Sequence, residues 1–190
     1  MADITEIVAG RRWNIWRLVM WGTAAFLLLL PAIAMQFTAE VNWTTADFVV
    51  MGVMLVTACG LVELAARASG NGAYRMGAAF AVFAAFLTVW ANLAVGMIGS
   101  EDNPYNLAFA GVIGLALLGA VLSGFRARGM AAAMTLAAVA QALAGAFGMF
   151  SDVRGGIFSM FFALIWLLSA TLFRKAAEEI APSPAKAEAQ

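Results

Sequence analysis

Carboxylates and amides gather at two places in this 190-residue chain. Glu40, Asn42 and Trp43 lie in AEVNWTTAD, and Trp90, Asn92, Glu101, Asp102, Asn103 and Asn106 lie in WANLAVGMIGSEDNPYN. Asp152 marks a third polar break in an otherwise apolar sequence. Groups of this kind, placed on one surface, suit a partner protein, a polar ligand or a hard cation. A divalent cation would take oxygen from Glu40, Glu101, Asp102 and Asp152. The competing reading is a solvated acidic face, with Asp and Asn capping the starts of helices. Met35, Met97 and Met149 stand near the same breaks, and three thioethers could hold copper(I). With 11 methionines in the chain, packing is the simpler expectation.

Other chemistries lack their residues. There is no histidine, which removes the usual general base near neutral pH and the usual ligand for haem and zinc. Cys59 is the single cysteine, so no intrachain disulfide can form, and its apolar surroundings suit an inert thiol. No glycine-rich phosphate loop is present. The expectation is a protein with no catalytic residue, no cofactor, no resident metal and no nucleic-acid partner.

The elements that carry these residues follow from hydropathy. Hydrophobic residues make up 64% and charged residues 12%, against about 45–50% and about 25% in soluble domains. Apolar runs of about 18 residues or more, enough to cross a ~30 Å hydrocarbon core, fall at residues 18–35, 48–66, 76–99, 105–125, 130–150 and 157–173. The fold class expected is an all-α integral membrane protein with six spans. Residues 1–17, with Trp13 and Trp16 among Arg11, Arg12 and Arg17, suit an interfacial helix or a free tail. Residues 174–190 read as a tail that is helical at first and then disordered. Pro31 is expected to kink or end the first span. Ala32-Ile33-Ala34 resembles a signal-peptidase site, but the long leading segment and span-length run favour a retained helix. Glu63 is expected to pair with Arg67 four residues on.

Six spans place both termini on one side. Arg11, Arg12, Arg17, Arg67, Arg75, Arg126, Arg128, Arg174, Lys175 and Lys186 then share that side, and Arg154 alone falls opposite. The positive-inside rule makes the termini cytoplasmic and the acidic turns external. The spans also read as three tandem helical hairpins. Glu40-Val-Asn42 matches Glu101-Asp-Asn103 at an offset of 61, which also carries Phe48 to Phe109 and Arg67 to Arg128. The third hairpin lacks the Glu-x-Asn element.

No ionisable residue sits at mid-span, which argues against proton coupling. Asn92 and Gln141 are the polar groups at depth. They serve either as hydrogen-bonding glue between helices or as the lining of a path for a neutral solute. Gly and Ala, frequent in the fourth and fifth spans, allow close helix approach.

The stretches AMQFTAEVNW and WANLAVGMIGSEDNPYN resemble a group of small multi-pass bacterial inner-membrane proteins, with the shared patterns AMQFTxEVNW and WxNxAVGxIGSExNxxN. The resemblance covers roughly the first two-thirds of the chain. It implies helical hairpins and a bacterial inner membrane, and it brings no activity, substrate or site residue. The functional expectation is a non-catalytic accessory subunit or binding protein that uses its external turns. The alternative is a small facilitator for a neutral solute, and a more distant one is a membrane enzyme or cofactor-binding protein. The expected partners are the lipid bilayer and another membrane subunit or a second copy of the chain.

Overall fold

A computed structural model describes residues 4–181, and side chains from Ile15 onward. The described residues form six α-helices: α1 (Ile4–Ala34), α2 (Thr45–Ala68), α3 (Gly72–Ala94), α4 (Leu107–Leu122), α5 (Ala127–Gly148) and α6 (Val153–Ile180). A single 3-10 turn, Pro104–Asn106, precedes α4 and extends its apolar length to 19 residues. All six helices are long and apolar enough to cross a membrane. Within hydrocarbon only internally bonded backbone is tolerated, and helices meet that demand.

Three boundaries differ from the hydropathy reading. The third helix stops at Ala94, not at residue 99. Gly96 and Gly99 both have φ +72°, a region that L side chains disfavour. At Gly96 an added Cβ would lie 2.5 Å from the Ser100 carbonyl, so the chain turns sharply while its residues are still apolar. The leading segment is continuous with α1, which runs unbroken from Ile4. Pro31 lies inside that helix, whose last residue is Ala34; beyond it the Met35 N–H still donates to the Pro31 carbonyl at 2.9 Å. At the other terminus α6 continues past Arg174 to Ile180. The expected disorder of the tail falls on residues 182–190, outside the described residues.

The chain divides into two compact units, up to Leu64 and from Ala65 onward. In the first, α1 and α2 touch through side chains. Leu28 lies over Gly52. Glu63, buried, accepts from the Trp21 indole N–H at 3.2 Å and from the Arg17 guanidinium. Glu63 thus meets Arg17 and Trp21 from α1, contacts that spacing along its own helix does not indicate. In the connection, Thr44 and Asp47 cap α2 reciprocally: Asp47 accepts from the Thr44 N–H at 2.7 Å and from its hydroxyl at 2.8 Å.

In the second unit, helix packing does not follow chain order. The extensive contacts are α5 with α6, α3 with α6, and α4 with α5, whereas α3 and α4 barely meet. Helices α5 and α6 pack against each other along their length, whereas α3 and α4, consecutive in the chain, lie against α6 and α5 instead. The reason lies in the small residues. A Cβ on Gly145 would stand 2.9 Å from the Gly156 carbonyl and 3.1 Å from Ser159 Oγ, so α5 and α6 meet almost backbone to backbone. Phe173 of α6 lies against Gly77 of α3, edge to face with Tyr74, and the Ser169 hydroxyl donates to the Gly77 carbonyl at 2.7 Å. Ala131, Ala133, Ala137, Ala138, Met134 and Trp166 fill the centre. The opposite faces of these helices carry exposed Leu, Val and Phe, as lipid-facing surfaces do.

Candidate functional site: the folded turn between α3 and α4

Residues 95–106 form a closed loop rather than a free connection. Met97 and Ile98 are 1% and 0% exposed and pack with Ala91, Phe109 and Phe162. Burying a loop exposes its peptide groups to an apolar medium, so each needs a partner. Two asparagines supply them. Asn106 accepts from the Ile98 N–H at 2.9 Å and donates to the Ser100 carbonyl at 2.8 Å. Asn103 donates to the Ile98 carbonyl at 3.0 Å and accepts from the Tyr105 N–H at 3.0 Å, capping the 3-10 turn. The two amides thus satisfy both polar groups of the Ile98 backbone.

The loop is also tied to α5 and α6. The Tyr105 hydroxyl donates to the Ala144 carbonyl at 2.8 Å, and the ring meets Phe109 edge to face. Asp152 caps α6 by accepting from the Gly155 N–H at 3.1 Å, and its second oxygen accepts from the Gly99 N–H at 3.0 Å. These amide donors, Gly155 first and Gly99 next, hold the Asp152 carboxyl below the usual carboxylate range. Partial burial opposes them, and Arg154 adds a smaller favourable contribution.

The sequence candidates therefore separate into three groups. Asn103, Asn106 and Asp152 are brought together, but they engage backbone groups of the loop and, for Asp152, of the first turn of α6. Glu101 and Asp102 are exposed at its tip, and no partner engages either carboxylate among the described residues. Glu40 and Asn42 are exposed in the other unit, where Trp43 stacks edge to face with Phe48 at 5.3 Å. Trp90 is exposed on α3.

The offset of 61 does not carry over into structure at these turns. Phe109 is fully buried whereas Phe48 is half-buried, and Asn103 caps a 3-10 turn where Asn42 stands before a Thr44–Asp47 cap. Among the described residues no three acidic or thiol side chains gather where a metal ion could be held. Met97 packs inside the apolar cluster below the loop, as a core residue does.

The intramembrane amides sit elsewhere. Asn92 donates to the Thr88 carbonyl one turn back at 2.7 Å, and its Oδ1 is buried without a donor. Gln141 is fully buried; its Nε2 is shared between the Ser159 hydroxyl at 3.2 Å and carbonyl at 3.3 Å, and Oε1 has no donor. Thr88, Gln141 and Ser159 each lie six or seven residues from the same ends of their helices, so they occupy similar depths. Ser159, and the tether that Tyr105 makes to α5, escaped the sequence reading, which placed Tyr105 with Trp43 and Trp90 in an aromatic belt at the outer boundary. The NPYN run carried the one available signal, since Asn before Pro starts turns.

Neither a protein family, nor a curated protein, nor a solved structure matches this chain. What the sequence and the fold establish together is a multi-pass helical membrane protein with six candidate spans.

Proposed function

We propose that the chain is a non-catalytic protein of a bacterial inner membrane, with cytoplasmic termini, that presents the Ser100–Asp102 tip to a basic surface of a partner membrane subunit. One observation carries this reading: two unpaired carboxylates, Glu101 and Asp102, stand exposed on a loop held by Asn103, Asn106, Tyr105 and Asp152. A binding group that is already ordered loses little entropy on docking, and exposed carboxylates steer a cationic partner toward it. The orientation is supported by the arginines. Arg67, Arg75, Arg126, Arg128 and Arg174 fall at the end of the helices away from this loop, and Arg154 alone falls beside it.

The test is native mass spectrometry after gentle extraction, comparing wild type with Glu101→Gln/Asp102→Asn. A stoichiometric subunit present in the first and lost in the second is the expected result. A lone protomer, or a subunit retained equally by both, would remove the tip from the account. The facilitator reading rests on a different observation, the buried acceptors Asn92 Oδ1 and Gln141 Oε1. Liposome flux of a neutral solute that Gln141→Leu abolishes would favour it.

A further inference from the structure

At the end of the second unit away from the folded loop, a cleft of about 370 Å³ opens between α5 and α6. It is lined by Arg128, Ala131, Ala132, Arg174, Ala177 and Glu178. Both arginines and the glutamate are exposed, and no salt bridge engages any of the three among the described residues. Alanines form the floor, so nothing bulky fills the space between the two guanidinium groups. The first-turn N–H groups of α5 end at the same place, and Arg126, the residue before the helix, makes no side-chain cap.

Depth identifies the surroundings of this cleft. Arg174 lies about 30 Å along α6 from its first residue, at 1.5 Å per residue, which is one hydrocarbon thickness from the Asp152 end. Arg128 lies in the first turn of α5, whose own length is about 33 Å. The two arginines therefore share the lipid–water boundary. Below them the seam is apolar and exposed. Leu136 and Val139 continue the stripe of Arg128 and Ala132 at helical spacing, and Leu167 and Leu164 continue that of Arg174.

We infer that this cleft holds one phospholipid of the phosphatidylethanolamine class, its phosphate between Arg128 and Arg174, its ammonium at Glu178 and its acyl chains along the apolar seam. Guanidinium groups match phosphate oxygens in charge and geometry. Glu178 decides the headgroup. With both arginines engaged by the phosphate, a glycerol headgroup brings no further cation to this carboxylate, whereas a pendant ammonium does.

The test uses the full chain, delipidated in detergent and titrated with phosphatidylethanolamine or phosphatidylglycerol of matched acyl chains, with bound lipid read by native mass spectrometry. Wild type is expected to retain one phosphatidylethanolamine in preference to phosphatidylglycerol. Arg128→Gln/Arg174→Gln should weaken that retention about tenfold or more, the loss of charge-assisted contacts. Glu178→Gln should abolish the preference between the two lipids while both still bind. All three positions are exposed, and a monodisperse elution profile confirms that the variants fold. Equal retention by wild type and the double arginine variant would overturn the inference, as would tighter binding of phosphatidylglycerol by wild type. Thermal protection by inorganic phosphate with neither lipid retained would assign the cleft to a soluble anion instead.

Discussion

Asn106→Ala tests whether the α3–α4 loop is held by its own side chains. The substitution removes the acceptor for the Ile98 N–H and the donor to the Ser100 carbonyl, bonds of 2.9 and 2.8 Å. Each is worth about 0.5–1.5 kcal/mol net. Ile98 is fully buried, so water cannot replace the lost acceptor, and an orphaned buried N–H costs about 1–3 kcal/mol. Because the orphaned donor already includes one of the two lost bonds, the local loss is about 1.5–4.5 kcal/mol. At tenfold per 1.4 kcal/mol, amide exchange over residues 95–106 should accelerate by roughly tenfold or more. Hydrogen exchange of the protein in nanodiscs, followed by mass spectrometry, reads this directly, with peptides from the middle of α5 and α6 as internal controls. Asn106→Asp keeps the acceptor for Ile98 but sets an oxygen against the Ser100 carbonyl, so it should fall between wild type and Asn106→Ala. Exchange in the loop that is unchanged by Asn106→Ala would refute the account, because something other than this amide would then be holding Ile98 in place.

Three further perturbations follow from the same geometry. In Gly148→Ala the new Cβ would stand 2.5 Å from Ile98 Cδ1, so overpacking should cost about 1–3 kcal/mol in equilibrium unfolding by mixed micelles; equal or greater stability would show that Ile98 does not seat there. Asp152 has a folded-state carboxyl pKa below its ordinary 3.8, so its contribution to stability is complete above the unfolded value and fades as pH falls through the lower folded one. Asp152→Asn should therefore flatten the acid limb of a melting-temperature profile while leaving its neutral-pH shape intact, and an acid limb as steep as that of wild type would count against the Gly99 and Gly155 contacts. Gln141→Leu removes two long hydrogen bonds together with an acceptor that has no donor, so stability should change by less than about 1.5 kcal/mol; a loss of several kcal/mol would show that Gln141 holds α5 to α6 as an indispensable polar contact.

Much of the architecture was legible in the sequence. Hydropathy locates six helices because every backbone group in hydrocarbon must be bonded within its own segment, and only length and apolar content matter for that. The polar breaks at Glu40, Glu101 and Asp152 are likewise visible, since charged residues do not stay in the membrane. Capping by Asn103 and Asp152 was a stated alternative, and it is the role the structure gives them, because Asn and Asp side chains bond nearby backbone groups readily.

What only the tertiary structure decided is which apolar residues face protein and which helices become neighbours. Met97 and Ile98 look like the end of a span, because hydropathy scores burial in a protein core and burial in lipid alike. It is the left-handed turns at Gly96 and Gly99 that fold them under the loop. The links of Glu63 to Arg17 and Trp21 depend on how α1 lies against α2, which spacing along one helix does not encode. The packing of α3 on α6, with Phe173 over Gly77, joins residues far apart in the chain, and so does the cleft between Arg128 and Arg174. Lipid supplies no hydrophobic drive to choose one helix neighbour over another, so the choice rests on close fit between small and large side chains, and that fit exists only once the helices are placed.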